Sequence, residues 1–501
     1  MQTISARSEK VGLCLLFVAL TLLFKSFSSL AVGGADSAGY FEAATRLSEW
    51  QVFKEENVFS RFGLPEDASL THTLGLEPHR QSGTLPHYPL GYSALMVPFI
   101  WLFGAAGIFW IVPLMSAAVV VLTYVLARNL ISPPAGLVAG LLMLSYPAFL
   151  FMGAQHMSDN PATLISVLSF VLLLCTPGGW LIDLLLGSVL GLGVWIRPNM
   201  VLIIPPIFAW LLYQRQYRRM FWVMAGGSWL ALLMAYYNSL WFGSAAQSAQ
   251  SASGLGVQYR PFVEPFFQHL LNINNQQLFI GGIGLIAGIA FNRVSLEVRL
   301  LFVTTTLIFL VFFSFYSSGQ GVWSYRFLLP VMPLVVVVQT GFFMALYKPS
   351  LSRQPKQLAC TTMFCAGLLG NTLFSLYLAE RYNVFSIREL ESRYVVMAQK
   401  AQKHVKQPAV ILSYQHGLSM RIYTDFPTLR LFTPVDTLVP VLEKLARKGA
   451  QIYLAMENWE RKRLLKRWKK SGEAGQRLTD KLHKVDEHQK LRLFLYRLEG
   501  L

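Results

Sequence analysis

Apolar and polar positions follow one another in long blocks along this chain of 501 residues. Apolar runs of about 16 to 22 residues recur from Val11 to about Leu378, close to the length that an α-helix needs to cross a bilayer. Beyond the last run the hydropathy falls and charged residues become frequent. The pattern predicts a polytopic α-helical membrane protein, with about eleven transmembrane helices, followed by a polar segment.

The predicted membrane helices can be placed by their apolar runs. In chain order they are a first helix that starts near Val11, then 107–128, 135–152, 161–176, 180–196, 198–214, 220–237, 276–292, 299–316, 327–347 and 358–379. The first run resembles a signal peptide, with Arg7 and Lys10 ahead of it. It is long enough to span, and Lys25 and Phe27 interrupt the small-residue region that a peptidase needs, so we interpret it as uncleaved.

Positive charge sets the predicted topology. The short loops 214–219, 291–299 and 348–356 are basic and should be cytoplasmic. In a cell (inner or plasma) membrane this puts the amino terminus inside, and it puts the loop 33–88 and the carboxyl-terminal segment outside. Residues 90–104, which contain Pro98, are then expected to form an outer-face or re-entrant helix.

Composition supports the assignment as a membrane protein and limits the kinds of molecule that the chain is expected to bind. The chain is 54% hydrophobic and only 14% charged, whereas soluble chains carry about 25% charge. Of its net charge of +17, most lies in residues 381–501, which hold 24 Lys and Arg against 12 Asp and Glu. No aromatic platform accompanies this charge, which argues against nucleic acid and favours anionic lipid headgroups or a solvated surface. The four cysteines lie in apolar segments without metal or redox spacing.

Two domains are expected. Residues 1–380 would form the transmembrane domain, including the first outer loop 33–88, where Tyr40, Ala44 and Leu47 recur at the spacing of an interfacial helix. Residues 381–501 would form a small basic α/β domain outside the membrane. Its predicted strands are 409–414, 420–423, 451–455 and 491–496, and its predicted helices are 435–448 and 457–470.

Asp36 is the main candidate for chemistry, because it is the first carboxylate after the first apolar helix, where hydrocarbon gives way to water. The topology brings further polar residues to the outer ends of other helices. These are His87, Tyr88, His156, Asp159, Arg197, Tyr325 and Arg326. Structural alternatives stay open at this point. Asp36 and Asp159 suit helix N-caps, the two arginines suit interfacial positions, and His87 suits a packing role.

The ordered set of these segments resembles the GT-C glycosyltransferases. It consists of the aspartate after the first helix, a Tyr-Pro-x-Gly-Tyr segment at 88–92, Asp159, an Arg-Pro at 197–198 and a Tyr-Arg-Phe-Leu-Leu-Pro-x-x-Pro segment from Tyr325. Within that superfamily, residues 10–350 look like bacterial relatives of protein O-mannosyltransferases and of the lipid A aminoarabinose transferase. Many relatives carry two adjacent prolines where this chain has Pro89 alone.

The resemblance implies a donor, a reaction and residue roles. It implies a sugar donor linked to polyprenyl phosphate, an acceptor that is a glycan, lipid or protein, and Asp36 as the catalytic carboxylate. An inverting transfer needs a base for the acceptor hydroxyl and cations for the departing phosphate. Arg197 and Arg326 suit the phosphate, and His87, Tyr88, Asp159 and Tyr325 are further candidates for binding substrate or lipid phosphate.

The same residues leave a metal site and two other functions open. Asp36, His87, His156 and Asp159 have the residue types of a divalent-metal site, although without local ligand spacing. No cofactor is firmly implied. A transporter or lipid flippase is the alternative function, but it would bury ionisable groups near the bilayer midplane and show internal repetition. A non-catalytic assembly scaffold predicts that charge-neutral changes at Asp36 and the arginines are silent.

Overall fold

The computed structural model describes residues 6–80, 82–247, 263–277, 286–315, 325–346 and 355–500. The described chain forms two compact units, and neither of them is continuous in sequence. The helical unit consists of Met1–Ser28 and Phe109–Ser386, and the sheet unit consists of Ser29–Ile108 and Ile387–Leu501.

The helical unit carries nearly all of the apolar runs. Its helices are Ala6–Phe27, Ile111–Leu130, Pro133–Ser145, Pro147–Gly153, Asp159–Leu174, Trp180–Ile196, Ile204–Tyr213, Tyr217–Phe242, Val263–Asn275, Leu296–Ser314, Met332–Leu346 and Pro355–Arg381. Short 3-10 turns at Ala105–Trp110, Pro198–Ile203 and Arg326–Val331 lead into three of them.

Six described helices are long and apolar enough to cross a membrane, and a seventh span results when the bent pair Pro133–Ser145 and Pro147–Gly153 is taken together. The apolar helices Asp159–Leu174, Trp180–Ile196 and Pro198–Tyr213 are shorter than the others. Residues 278–285 of the predicted span 276–292 lie outside the described residues. The count of eleven therefore stays a prediction, whereas the helical character of the apolar runs is confirmed for the described residues.

The bend of 66° within the third predicted span has a local cause. Tyr146 precedes Pro147 and has extended backbone angles, because a following proline disfavours the helical region. The break leaves backbone donors at the start of the next helix without an intrahelical partner. The side chain of Gln276 accepts a hydrogen bond from one of them, the Ala148 N–H, at 3.0 Å.

The sheet unit combines the first long loop with the carboxyl-terminal segment. Its amino-terminal part contains the helices Asp36–Ser48, Ala68–Thr71 and Leu90–Phe103 and the strands β1 (Lys54–Glu55), β2 (Leu76–His79) and β3 (Gly83–Pro86). The three strands form an antiparallel sheet in the order β1-β3-β2. The predicted helix around Tyr40 is thus confirmed, and the strands that follow it were not anticipated.

A mixed five-stranded sheet forms the carboxyl-terminal part. Its strands are β4 (Ala409–Ser413), β5 (Thr428–Arg430), β6 (Gln451–Glu457), β7 (Leu482–His488) and β8 (Leu493–Leu498), in the order β5-β4-β6-β8-β7. Its helices are Ile387–Glu391, Arg393–His404, Gly417–Tyr423, Val435–Arg447, Asn458–Lys470 and Gly472–Asp480. Alternate residues of β4 enter different apolar clusters, Val410 and Leu412 in one and Ala409 and Ile411 in the other. β4, an inner strand of the sheet, is therefore buried on both faces.

Two of the predicted strands need correction. Met420–Tyr423 lies in the helix Gly417–Tyr423, not in a strand. β4 and β5 are parallel neighbours, and a parallel pair needs a crossover, which this helix supplies. The last strand begins at Leu493 instead of Leu491, since Arg492 has a left-handed backbone conformation with φ 52°.

The grouping of residues 33–88 differs from the predicted domain boundary. The sequence predicts that they belong to the transmembrane domain, but Val58 and Phe59 enter the same apolar cluster as Val410 and Leu412. A polar contact also joins the same two segments. Arg421 donates to the carboxylate of Glu56 at 2.5 Å, and Glu56 in addition accepts from the hydroxyl of Thr84 within its own segment.

Candidate functional site

Asp36 is the first residue of the helix Asp36–Ser48. The N-cap is Ala35, which makes no side-chain capping bond, so Asp36 is not the N-cap of a helix that begins at Ser37. The turn before it is closed locally. The Gly33 N–H donates to the hydroxyl oxygen of Ser37 at 3.0 Å, and that hydroxyl donates to the Gly33 carbonyl at 2.8 Å.

Tyr88 orients the carboxylate of Asp36. Its hydroxyl donates to Oδ1 of Asp36 at 2.6 Å, which joins two of the predicted site residues directly. The Tyr88 ring lies 4.8 Å from the ring of Tyr40, one turn further along the Asp36 helix. Tyr40 in turn contacts the buried ring of Tyr92 edge-on at 5.0 Å. The aromatic residues of the Tyr-Pro-x-Gly-Tyr segment therefore pack beside Asp36.

A close approach of two backbones brings the next loop to the first turn of the Asp36 helix. Gly75 has φ +88°, and a Cβ atom there would lie 2.5 Å from the Ala35 carbonyl oxygen. The Gly75 carbonyl accepts a hydrogen bond from the His87 N–H at 3.0 Å. Only glycine combines this conformation with this proximity, so Gly75 determines where the segment that carries Tyr88 is placed.

His87 pairs with a carboxylate that was not a candidate in the sequence. Its Nδ1 lies 2.6 Å from Oε1 of Glu77, and both side chains are largely buried. The antiparallel register of β2 and β3 pairs Leu76 with Pro86 and so brings Glu77 near His87. In the sequence, this pairing could have been inferred only from an alternating strand pattern in 76–86. The proline and glycine residues there obscure that pattern.

The second group of candidates lies in the helical unit, where the side chains of Arg197 and Arg326 both lie close to one aromatic ring. The guanidinium carbons lie 5.7 Å and 5.2 Å from the centre of the Phe327 ring. Arg197 also forms a salt bridge with Asp159, whose side chain is 2% exposed. Asp159 begins its helix after Ser158, so it is not the N-cap residue either. Arg197 is thus an ion-paired arginine whose side chain is largely buried.

The remaining candidates have other surroundings. His156 is 1% exposed, and its ring lies 4.9 Å from the ring of Phe109. Tyr325 is partly buried and directly precedes the turn Arg326–Val331. Phe327 was not a candidate. Its position after Tyr325 and Arg326 is visible in the sequence, but its proximity to both Arg197 and Arg326 is not.

The candidates thus fall into two groups, one in each unit. Asp36, Tyr88 and His87 belong to the sheet unit, whereas His156, Asp159, Arg197, Tyr325 and Arg326 belong to the helical unit. Among the described residues, no three His, Cys, Asp or Glu side chains gather as a metal site would require. The metal prediction gains no support from these residues and stays a prediction.

Comparison with solved structures assigns the fold. ArnT from Cupriavidus metallidurans, bound to undecaprenyl phosphate, aligns over 97% of this chain and 98% of its own length, with 13% identity and a TM-score of 0.60. The oligosaccharyltransferase from Archaeoglobus fulgidus aligns over 98% of this chain and 74% of its own, with 11% identity and a TM-score of 0.55.

The chain has the GT-C glycosyltransferase fold. Arabinofuranosyltransferase AftD from Mycobacteria shares it, covering 100% of this chain and 42% of its own length, with 11% identity and a TM-score of 0.53. Residues 88–241 match the sequence profile of the dolichyl-phosphate-mannose-protein mannosyltransferases. No curated protein sequence gives a significant match. The GT-C resemblance predicted from the ordered residues is confirmed.

Proposed function

We propose that this protein is a membrane glycosyltransferase that moves a sugar from a polyprenyl-phosphate-linked donor to an acceptor at the outer face of the cell membrane. The observation that supports this most strongly is the carboxylate of Asp36, held by the Tyr88 hydroxyl at the start of a helix in a GT-C fold. The acceptor is a glycan, a lipid or a protein. The amino terminus is cytoplasmic in this proposal, and the carboxyl-terminal segment is outside.

The proposed reaction is a single displacement with inversion. Asp36 takes the proton of an acceptor hydroxyl, and the acceptor oxygen attacks the anomeric carbon of the donor sugar. The bond between that carbon and the phosphate oxygen breaks, and its electron pair stays on the phosphate. The products are the glycosylated acceptor and the polyprenyl phosphate, and the proton rests on Asp36 until it passes to water.

Arg197 and Arg326 are proposed to bind the departing phosphate. A guanidinium pairs with two phosphate oxygens at once, and stabilising this charge as it develops lowers the barrier. Asp159 holds Arg197 by a salt bridge, so we assign it an orienting role. Tyr325, adjacent to Arg326, and His87, paired with Glu77, are proposed to contact substrate or the lipid phosphate.

The proposal is tested by comparing a strain that lacks the protein with strains that carry variants. Mass spectrometry of cell-surface glycans, lipids, proteins and polyprenyl-linked sugars should show one donor accumulating and one product losing a sugar mass. The wild-type gene should restore the product, and Asp36→Asn should leave less than about a hundredth of it because the base is absent. Asp436→Asn is the matched control, since this exposed aspartate also lies in the first turn of a helix of the sheet unit.

Two results would count against the proposal. A fully active Asp36→Asn protein at wild-type abundance would remove the base from the mechanism. A strain that mislocalises a complete, unmodified glycolipid, without any missing sugar, would favour the flippase alternative.

A further inference from the structure

The backbone turn that presents Asp36 rests on two tyrosines from the carboxyl-terminal segment. The hydroxyl oxygen of Tyr423 accepts a hydrogen bond from the Val32 N–H at 2.8 Å. The ring of Tyr394 lies directly against Gly33, where a Cβ atom would come within 2.1 Å of Cγ of the ring. More than 350 residues separate these tyrosines from the turn along the chain, yet all of them lie in the sheet unit.

Tyr394 is itself firmly held. Its side chain is 3% exposed, and its hydroxyl oxygen accepts a hydrogen bond from Nη2 of Arg393 at 3.1 Å. The buried ring of His416 lies 5.0 Å away on the same segment. Burial, together with the charge of Glu391, raises the pKa of the Tyr394 hydroxyl, so this residue stays neutral across the physiological range.

The turn is short enough for this support to reach the carboxylate. Gly34, with φ +65°, is two residues before Asp36, and a Cβ atom on it would lie 3.0 Å from the hydroxyl oxygen of Tyr394. Displacement of Gly33 or Gly34 therefore moves the first residue of the helix Asp36–Ser48. A displacement of about 1 Å at a reacting group costs about a hundredfold in rate, because the reacting atoms no longer meet in line.

We propose that Tyr394 and Tyr423 are positioning residues, through which the carboxyl-terminal segment sets the location of the Asp36 carboxylate. The inference rests on the proposed function, since it concerns the placement of the proposed base. It gives the carboxyl-terminal segment a direct part in the transfer reaction, beyond that of a separate outer domain.

The test uses the full-length protein in the deletion strain, with the missing product measured by mass spectrometry at matched protein abundance. Gly33→Ala should lower the product about a hundredfold, because the new methyl group meets the Tyr394 ring. Tyr394→Ala should also lower it, through the loss of support, whereas Tyr394→Phe keeps the ring and should be nearly wild type. The double variant Gly33→Ala with Tyr394→Ala should recover at least tenfold over Gly33→Ala, because the methyl group then has space.

Two further variants separate placement from general damage. Tyr423→Phe removes only the hydroxyl and should lower the product about threefold to tenfold. It should also speed hydrogen–deuterium exchange of the Val32 amide in the purified protein. Gly179→Ala is the control, because a Cβ atom there meets nothing within 4 Å and the same methyl group should be silent.

The outcomes are separable. Asp36→Asn in the same assay reports on the proposed function alone, and full activity in it overturns both proposals. An inactive Asp36→Asn protein together with a wild-type Gly33→Ala protein overturns only the positioning role. A double variant no better than Gly33→Ala also overturns it, since a loss that extra space cannot repair does not come from the Tyr394 contact.

Discussion

At the scale of single residues, the proposed base needs a fixed orientation as well as an available lone pair. Tyr88 supplies the orientation through a bond to Oδ1 of Asp36. The rings of Tyr40 and His87 pack against the Tyr88 ring and restrict its motion. Loss of the Tyr88 hydroxyl should therefore disturb the orientation of the Asp36 carboxylate while leaving the carboxylate itself in place.

Tyr88→Phe should lower product formation about tenfold, because a hydrogen bond to a charged group is lost while the ring packing is retained. The measurement is the product mass in the complemented deletion strain. Tyr236→Phe loses the same hydroxyl from a residue that is 67% exposed and should have no effect. Equal activity of both variants would assign the Tyr88 hydroxyl no part in the reaction.

A second prediction at this scale concerns the acid dependence of stability. Burial of Glu42 would raise its pKa, but the charge of Arg46, the hydrogen bond from Arg46 and the charge of Lys54 together lower it. The pKa of Glu42 is therefore lower in the folded protein than in the unfolded chain. Its stabilising contribution is complete above the unfolded value of about 4.3 and is lost as the pH falls through the lowered folded value.

Glu42→Gln should thus lower the thermal unfolding midpoint of the purified protein at pH 7, and the difference from wild type should shrink towards pH 3. Glu443→Gln is the matched control, because Glu443 also faces an arginine one turn later. That pair is exposed, 80% for Arg447 and 46% for Glu443, so its loss should leave the midpoint unchanged. A midpoint difference for Glu42→Gln that does not vary with pH would contradict this assignment.

At the scale of elements, the approach of Gly75 to the first turn of the Asp36 helix decides where the Tyr88 segment lies. The cost of adding a side chain has two parts, the left-handed backbone and the contact with the Ala35 carbonyl. At Gly63 a side chain would meet only the cost of the left-handed backbone, since this residue has φ +67° and open space around its Cβ position.

Gly75→Ala should therefore reduce both the unfolding midpoint and the amount of product. Gly63→Ala should lower the free energy of unfolding by only about 1 kcal/mol and so reduce the midpoint slightly. Thermal unfolding and the mass-spectrometric product assay give the two measurements. Similar losses in both variants would mean that backbone conformation alone is responsible, and the close approach would then have no separate role.

At the scale of the whole molecule, the sheet unit is assembled from segments that lie about 300 residues apart. Arg421 is central to this assembly. It donates to the Glu56 carboxylate and to the Thr71 carbonyl in the first loop, and to Thr428 in its own segment. Glu56 is only 8% exposed, so an uncompensated charge there is costly.

Arg421→Met should destabilise the sheet unit by about 3 kcal/mol, because it leaves the buried Glu56 carboxylate without its cation. Limited proteolysis of the purified protein should then cut the loop 33–88 faster. The double variant Arg421→Met with Glu56→Gln should be more stable than Arg421→Met alone, since the buried charge is gone. Failure of the double variant to recover would show that Arg421 acts through Thr71 and Thr428 instead.

The lengths of the apolar runs and the local pattern of apolar and polar residues determined much of the secondary structure. They predict helices at 180–196, 220–237 and 299–316 and a strand at 409–414, because these depend on neighbouring residues. The structure has the corresponding elements at Trp180–Ile196, Tyr217–Phe242, Leu296–Ser314 and β4. The GT-C fold was expected from the family resemblance of the ordered polar residues. Asp36, Tyr88, Asp159 and Arg197 were also named as candidates from sequence alone.

Only the tertiary structure decided which of these residues meet. The bond between Tyr88 and Asp36, the pair of Glu77 with His87 and the support of Gly33 by Tyr394 all join segments that no local periodicity relates. Such contacts depend on strand register, on backbone proximity at glycines and on the packing of the carboxyl-terminal segment against the first loop. These are properties of packed surfaces, which a sequence specifies only through the complete fold.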